Sequence, residues 1–178
     1  MLDGEKRIIQ RAKRGEASAF GLLYDRYQPQ IYRFIFLKVS RREEAEDLTH
    51  QVFLQALQHI GEYEDVGFPF TSWLYRIARN EVIDHYRTKR QAISLDDVAP
   101  EYFATLDRAM EDAERRMDVR RVTDALKQLK PEYQDVIIMR FIEDLSPKEI
   151  AVALQKSEGA VKLLQHRAVK QLQQLLKP

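Results

Sequence analysis

The chain has 178 residues, of which 32% are charged and 44% apolar, and a formal net charge of +1. That length allows one domain or two small ones, and that apolar share fills small cores but not one large one. Near-neutrality excludes a global basic field, so any nucleic-acid binding has to come from local patches. There are no cysteines, which rules out disulfides and zinc-finger ligation and fits a reducing compartment. The opening residues, MLDGEKRIIQRAKRGE, lack the apolar core of a signal peptide, and no apolar run approaches membrane-spanning length. The expectation is a soluble cytoplasmic protein with no membrane insertion. Six glycines and few β-branched runs point to an all-α fold.

In chain order, residues 3–14 read as a short helix ended by Gly15. Ser18 to Tyr27 and Ile31 to Val39 are two apolar-periodic, aromatic-rich stretches separated by Pro29. Arg41 to His59 is the next helix, with Ala45, Leu48, Val52 and Ala56 inward, acidic and amide side chains outward, and Gly61 as its stop. A loop from Glu62 to Phe70 leads into a long helix, Thr71 to Arg90. Leu74, Ile77, Ala78 and Val82 form its inner stripe, and Arg76, Arg79, Asn80, Ile83, Arg87 and Arg90 its outer one.

From residue 91 to 118 the pattern weakens and acidic residues outnumber basic ones, which reads as a linker, partly helical toward its end. The domain expectation is therefore 1–90, a 91–118 linker, and 119–178. Val119 to Leu129 is a helix, and Pro131 opens another. Ser146, Pro147 and Glu149 then form a capping box with proline at the first helical position. Ile150, Ala151 and Leu154 share one face of the short helix that follows. Gln155 takes the turn, where glycine is common because the conformation is left-handed; a non-glycine residue there costs roughly 1 kcal/mol. Ser157 caps a second helix whose apolar stripe is Val161, Leu164, Ala168, Leu172 and Leu175. Gly159, Lys162, Leu163, His166, Arg167 and Lys170 lie on the opposite face. Two helices, a short turn and a basic outer face describe a helix-turn-helix.

Two further constellations carry chemistry. Phe68, Phe70 and Trp73 stand beside Arg76, Arg79, Asn80 and Arg87. Aromatic faces stack on unpaired bases and arginines hold phosphates, so the pairing suits opened or single-stranded DNA. The alternative is that these aromatics plug the end of a helical bundle. The second constellation is acidic, Glu43, Glu44, Glu46 and Asp47 with Gln51. It serves either the helix dipole or a basic partner. Metal spacing is weak: Asp47 with His50 and Glu81 with His85 do not complete the pattern a di-metal bundle needs. No phosphate-binding loop or hydrolase motif is present, and neither catalysis nor a cofactor is expected.

Three stretches in this order resemble the sigma-70 family, specifically its short extracytoplasmic-function (ECF) sigma factors. Glu44-Ala45-Glu46-Asp47-Leu48 with Gln51, Val52 and Phe53 is similar to region 2.2. Phe70 through Arg90 is similar to regions 2.3 and 2.4, and Leu126 through Leu175 to region 4. The resemblance implies two helical domains on a flexible linker, core RNA polymerase and promoter DNA as partners, and an anti-sigma factor as regulator. It implies that Glu44, Asp47 and Gln51 meet the polymerase. Phe68, Phe70, Trp73, Arg76, Arg79, Asn80 and Arg87 would engage the minus-ten element. Ser157, Gly159, Lys162, Leu163, His166, Arg167 and Lys170 would engage the minus-thirty-five element. The free protein is expected to be a monomer. The competing expectations are a dimeric helix-turn-helix regulator and a metal-dependent helical-bundle enzyme.

Overall fold

The computed structural model describes residues 3–65, 67–91 and 121–177. The 91–118 linker falls outside them except for Gln91, as do the first residues of the helix expected from Val119. Among the described residues the fold is all helical. Helix α1 spans Asp3–Lys13, α2 Ala17–Val39, α3 Arg42–His59 and α4 Phe70–Gln91. In the C-terminal half, residues 121–127 form α5, Pro131–Ile137 form α6, Pro147–Leu154 form α7 and Glu158–Leu176 form α8.

Gly15 ends the first helix as expected, with φ at +85°. Proline does not divide the second. Pro29 lies inside one continuous helix. A mid-helix proline costs about 3 kcal/mol through the lost backbone bond and the ring clash. Phe20, Leu23, Tyr27, Ile31, Phe34 and Ile35 are all buried on both sides of it. Each contributes about 1.5–3 kcal/mol, so the shared buried face outweighs the local penalty. Gly61 is not a left-handed stop either. The chain leaves α3 through a 3₁₀ turn, Ile60–Glu62, with Ile60 itself right-handed. The inner stripes of α3 and α4 are placed as their spacing predicts: Ala45, Val52, Ala56, Leu74, Ile77, Ala78 and Val82 are buried.

Helix α6 passes into one π turn, Ile138–Ile142, in which the Glu143 amide donates to the Ile138 carbonyl at 3.0 Å. The Ser146 hydroxyl then accepts from the Glu149 amide at 3.3 Å, and the Ser146 amide donates back to the Glu149 carboxylate at 2.6 Å. Gln155 is left-handed, with φ 53° and ψ 43°, and Ser157 caps α8 by accepting from the Ala160 amide at 3.2 Å. The two halves pack together: α7 lies against α4, and the buried side chains of both halves join one apolar cluster.

Candidate nucleic-acid interface

Helix α8 divides its residues cleanly. Val161 and Ala168 are fully buried, and Leu164 and Leu172 pack against the core. On the other face Gly159, Lys162, Leu163, His166, Arg167 and Lys170 are all exposed, as is the cap Ser157. Leu163 is 50% exposed, although it is a large apolar side chain. Lys162 carries an ion pair within its own helix, to Glu158 at 2.7 Å. A helix presenting a cationic, solvent-facing stripe one turn beyond a capped N-terminus has the dimensions and charge of a major-groove reader.

The aromatic–arginine constellation is built in layers. Phe70 has no exposed surface; Tyr27, Tyr63 and Trp73 enclose it at ring-centroid distances of 5.7, 5.1 and 5.2 Å. Burial pushes the Tyr63 hydroxyl up to about 12, and it donates to the Phe68 carbonyl at 3.4 Å. Phe68, Trp73 and Arg76 are half-buried, whereas Asn80 and Arg87 are exposed. Trp73 and Arg76 line a hollow of about 240 Å³ together with Tyr63, Phe68 and Pro69. They also edge a neighbouring hollow with His59, Ile77 and Asn80. Val152 lines the first hollow and Gln155 the second, both from the C-terminal half. Arg79 is turned away from these hollows, with its Nε 3.0 Å from the buried Asp135 carboxylate.

The acidic face of α3 is split. Glu44 is largely enclosed and holds two cations and an imidazole: Arg41 at 3.0 Å, Lys89 at 2.7 Å and His85 Nε2 at 2.9 Å. Burial raises this carboxyl, but the hydrogen bonds from Lys89, Arg41 and His85 outweigh it and hold Glu44 below its ordinary value. Asp47 and Gln51 are exposed. They share a face with Glu43 and with two leucines that the sequence reading missed, Leu54 and Leu57, which are 48% and 47% exposed. Their signal was an apolar pair on the outer side of an otherwise polar stripe. Glu81 accepts from Gln55, and among the described residues no three metal-ligating side chains gather.

Residues far apart in sequence also meet. Asp135 accepts from both Lys38 and Arg79, and Glu143 takes a two-pronged pair from Arg33 at 2.6 and 2.7 Å. Burial and the neighbouring Glu143 carboxylate push the Tyr75 hydroxyl well above its usual range.

Together these features define a two-part helical DNA-binding protein, a helix-turn-helix joined to a second helical unit with an aromatic–cationic face. Residues 23–92 match the family described as Sigma-70 region 2, and residues 120–172 match Sigma-70, region 4. The chain is 39% identical to the ECF RNA polymerase sigma factor BldN of Streptomyces coelicolor, over 95% of this chain and 64% of that protein. It is 30% identical to the ECF sigma factor SigW of Bacillus subtilis, over 97% of this chain and 96% of SigW. In fold it is similar to the sigma factor RpoE of Bartonella quintana, solved with the anti-sigma factor NepR. There the TM-score is 0.70 at 22% identity, covering 88% of this chain and 96% of that one. The chain belongs to the sigma-70 family, in its group of ECF sigma factors.

Proposed function

We propose that this chain binds core RNA polymerase and directs it to specific promoters, supplying recognition while the polymerase performs the chemistry. The observation that carries this reading is the pairing, in one chain, of an exposed basic helix-turn-helix stripe with a separate Trp73–Arg76–Asn80 face. Residues 1–90 serve as the core-docking and minus-ten unit, 91–118 as the linker and 119–178 as the minus-thirty-five unit. Asp47 and Gln51 meet a basic surface of the polymerase, with Glu44 held in place behind them by Arg41, His85 and Lys89. Lys162, Leu163, His166 and Arg167 face the major groove, with Ser157, Gly159 and Lys170 at the two ends of the contact. A base extruded from the minus-ten strand enters the hollow beside Trp73. Phe70 supports that hollow from beneath, and Arg76, Asn80 and Arg87 follow the strand. Each half alone binds DNA weakly; joined on polymerase, they gain through effective concentration. An anti-sigma protein restrains the chain in the cytoplasm; the similar RpoE was solved in complex with the anti-sigma factor NepR.

In-vitro transcription with core polymerase over a genomic library tests the reading. A discrete set of promoters that depends on this chain is expected. A chain that binds its duplex sites as a dimer without polymerase, and leaves transcription start sites unchanged, would overturn it.

A further inference from the structure

Charges are expensive to bury unless they are paired. This molecule buries a set of them where its halves meet. The Asp135 and Glu143 side chains, both from the C-terminal half, are 2% and 1% exposed. Every cation they hold comes from the N-terminal half. Lys38, itself 3% exposed, and Arg79 both donate to Asp135, and Arg33 grips Glu143 with two bonds. The halves also share apolar contacts, which alone would favour lasting association. An ion-paired contact behaves differently, because each partner regains its hydration when the surfaces part. The pairs are also directional, so they specify one docked arrangement.

In that arrangement the end of α7 lies over the Trp73–Arg76 part of the minus-ten face, while Asn80 and Arg87 stay exposed. Val152 lines the hollow beside Trp73, and Gln155 lies at the edge of the hollow shared by Trp73, Arg76 and Asn80. The reading helix α8 is not covered; Lys162, Leu163 and Arg167 remain exposed. The geometry points to an electrostatic latch, Asp135 and Glu143 seated in Lys38, Arg79 and Arg33, that holds the free protein closed and withholds its minus-ten face. The inference rests on the proposed role of that face, and it names how the face is regulated: opening the latch is the step that makes the strand-binding surface available.

The chain contains one tryptophan, Trp73, and no cysteine. Trp73 is therefore a built-in reporter of the covered face, and Gln58→Cys with Gln174→Cys gives a clean pair of spin-label positions, one in each half. Arg33→Glu sets like charges against each other at Glu143. It should lengthen the label distance and raise acrylamide quenching of Trp73. The swap Arg33→Glu/Glu143→Arg should restore both readouts, which a merely misfolded variant cannot do. Asp135→Asn should open the latch by a second route. Affinity for a pool of random single-stranded oligonucleotides should rise in Arg33→Glu about tenfold if the open form is about a tenth of the parent population. This variant loses positive charge, so added attraction for DNA cannot explain such a gain. Parent-like distances and quenching in both Arg33→Glu and Asp135→Asn would overturn the latch. Opening with no gain in single-strand affinity would overturn the withholding, and with it the role proposed for the Trp73 face, while the closed contact itself would stand.

Discussion

Asp47, Asn80 and Arg167 are the side chains whose replacement separates recognition from folding, because each is exposed. Asp47→Arg should weaken capture of core polymerase in a pull-down while changing stability by under roughly 0.5 kcal/mol. Arg167→Ala should cost about 1–3 kcal/mol and relax preference at one promoter position if the guanidinium reads a base edge. A uniform, salt-sensitive loss across a promoter library would assign it to phosphate instead. Asn80→Ala should keep its thermal midpoint and its duplex binding but initiate less from a closed promoter; a pre-melted template should restore part of the rate. Glu44 belongs with the supporting residues. Burial raises its pKa, but the hydrogen bonds from Lys89, Arg41 and His85 hold it below its ordinary value, so its contribution to stability is present above the ordinary glutamate value of about 4.3 and is lost as pH falls through the lower folded value. Glu44→Gln should flatten the acid limb of a stability–pH profile measured by denaturant melts.

Among elements, those set by local chemistry were legible in the sequence. The capping box at Ser146, the left-handed Gln155 and the cap at Ser157 involve neighbours within four residues, and the structure has all three. Replacing Gln155 with glycine should relieve about 1 kcal/mol of left-handed strain and raise the melting temperature by a few degrees. What failed was punctuation. Pro29 and Gly61 are strong local signals, but a continuous buried face carried α2 through the first, and a 3₁₀ turn absorbed the second. The candidate site was legible as a set of residues and not as a set of layers. Periodicity places Arg79 on the outer stripe, and Phe70 stands at the end of the loop before that helix. Whether a side chain on that stripe meets solvent, an aromatic neighbour or a carboxylate 56 residues away depends on the tertiary fold. One sequence signal was available: Lys38 stands between Leu37 and Val39, and Asp135 beside Val136, Ile137 and Ile138. A lone charge in an apolar run calls for a partner of opposite sign.

For the whole molecule, the ion-paired contact between the halves changes how damage spreads. Removing one member of a fully enclosed pair usually costs about 3–5 kcal/mol, because its partner stays buried and uncompensated. Here the stranded charge can reach water if the halves part. Asp135→Ala should therefore lose less than that, and the loss should be capped by the free energy of separation. Calorimetry should show one broadened or two resolved transitions in the variant where the parent shows one, since coupling between the halves is what makes them melt together.

The π turn at Ile138–Ile142 makes this molecule more sensitive to length than to composition. A π turn holds one residue more than the helix around it needs, and each helical residue rotates the chain by about 100°. Deleting one residue there would let the segment relax into regular helix with everything after it still in phase. A further residue inserted beside Met139 would exceed what the turn absorbs and swing everything after it by that angle. Glu143 would then leave Arg33, and α7 and α8 would be re-aimed together, with every one of their side chains intact. Substitutions along this stretch test individual contacts, whereas a one-residue insertion tests the phase of the whole C-terminal half.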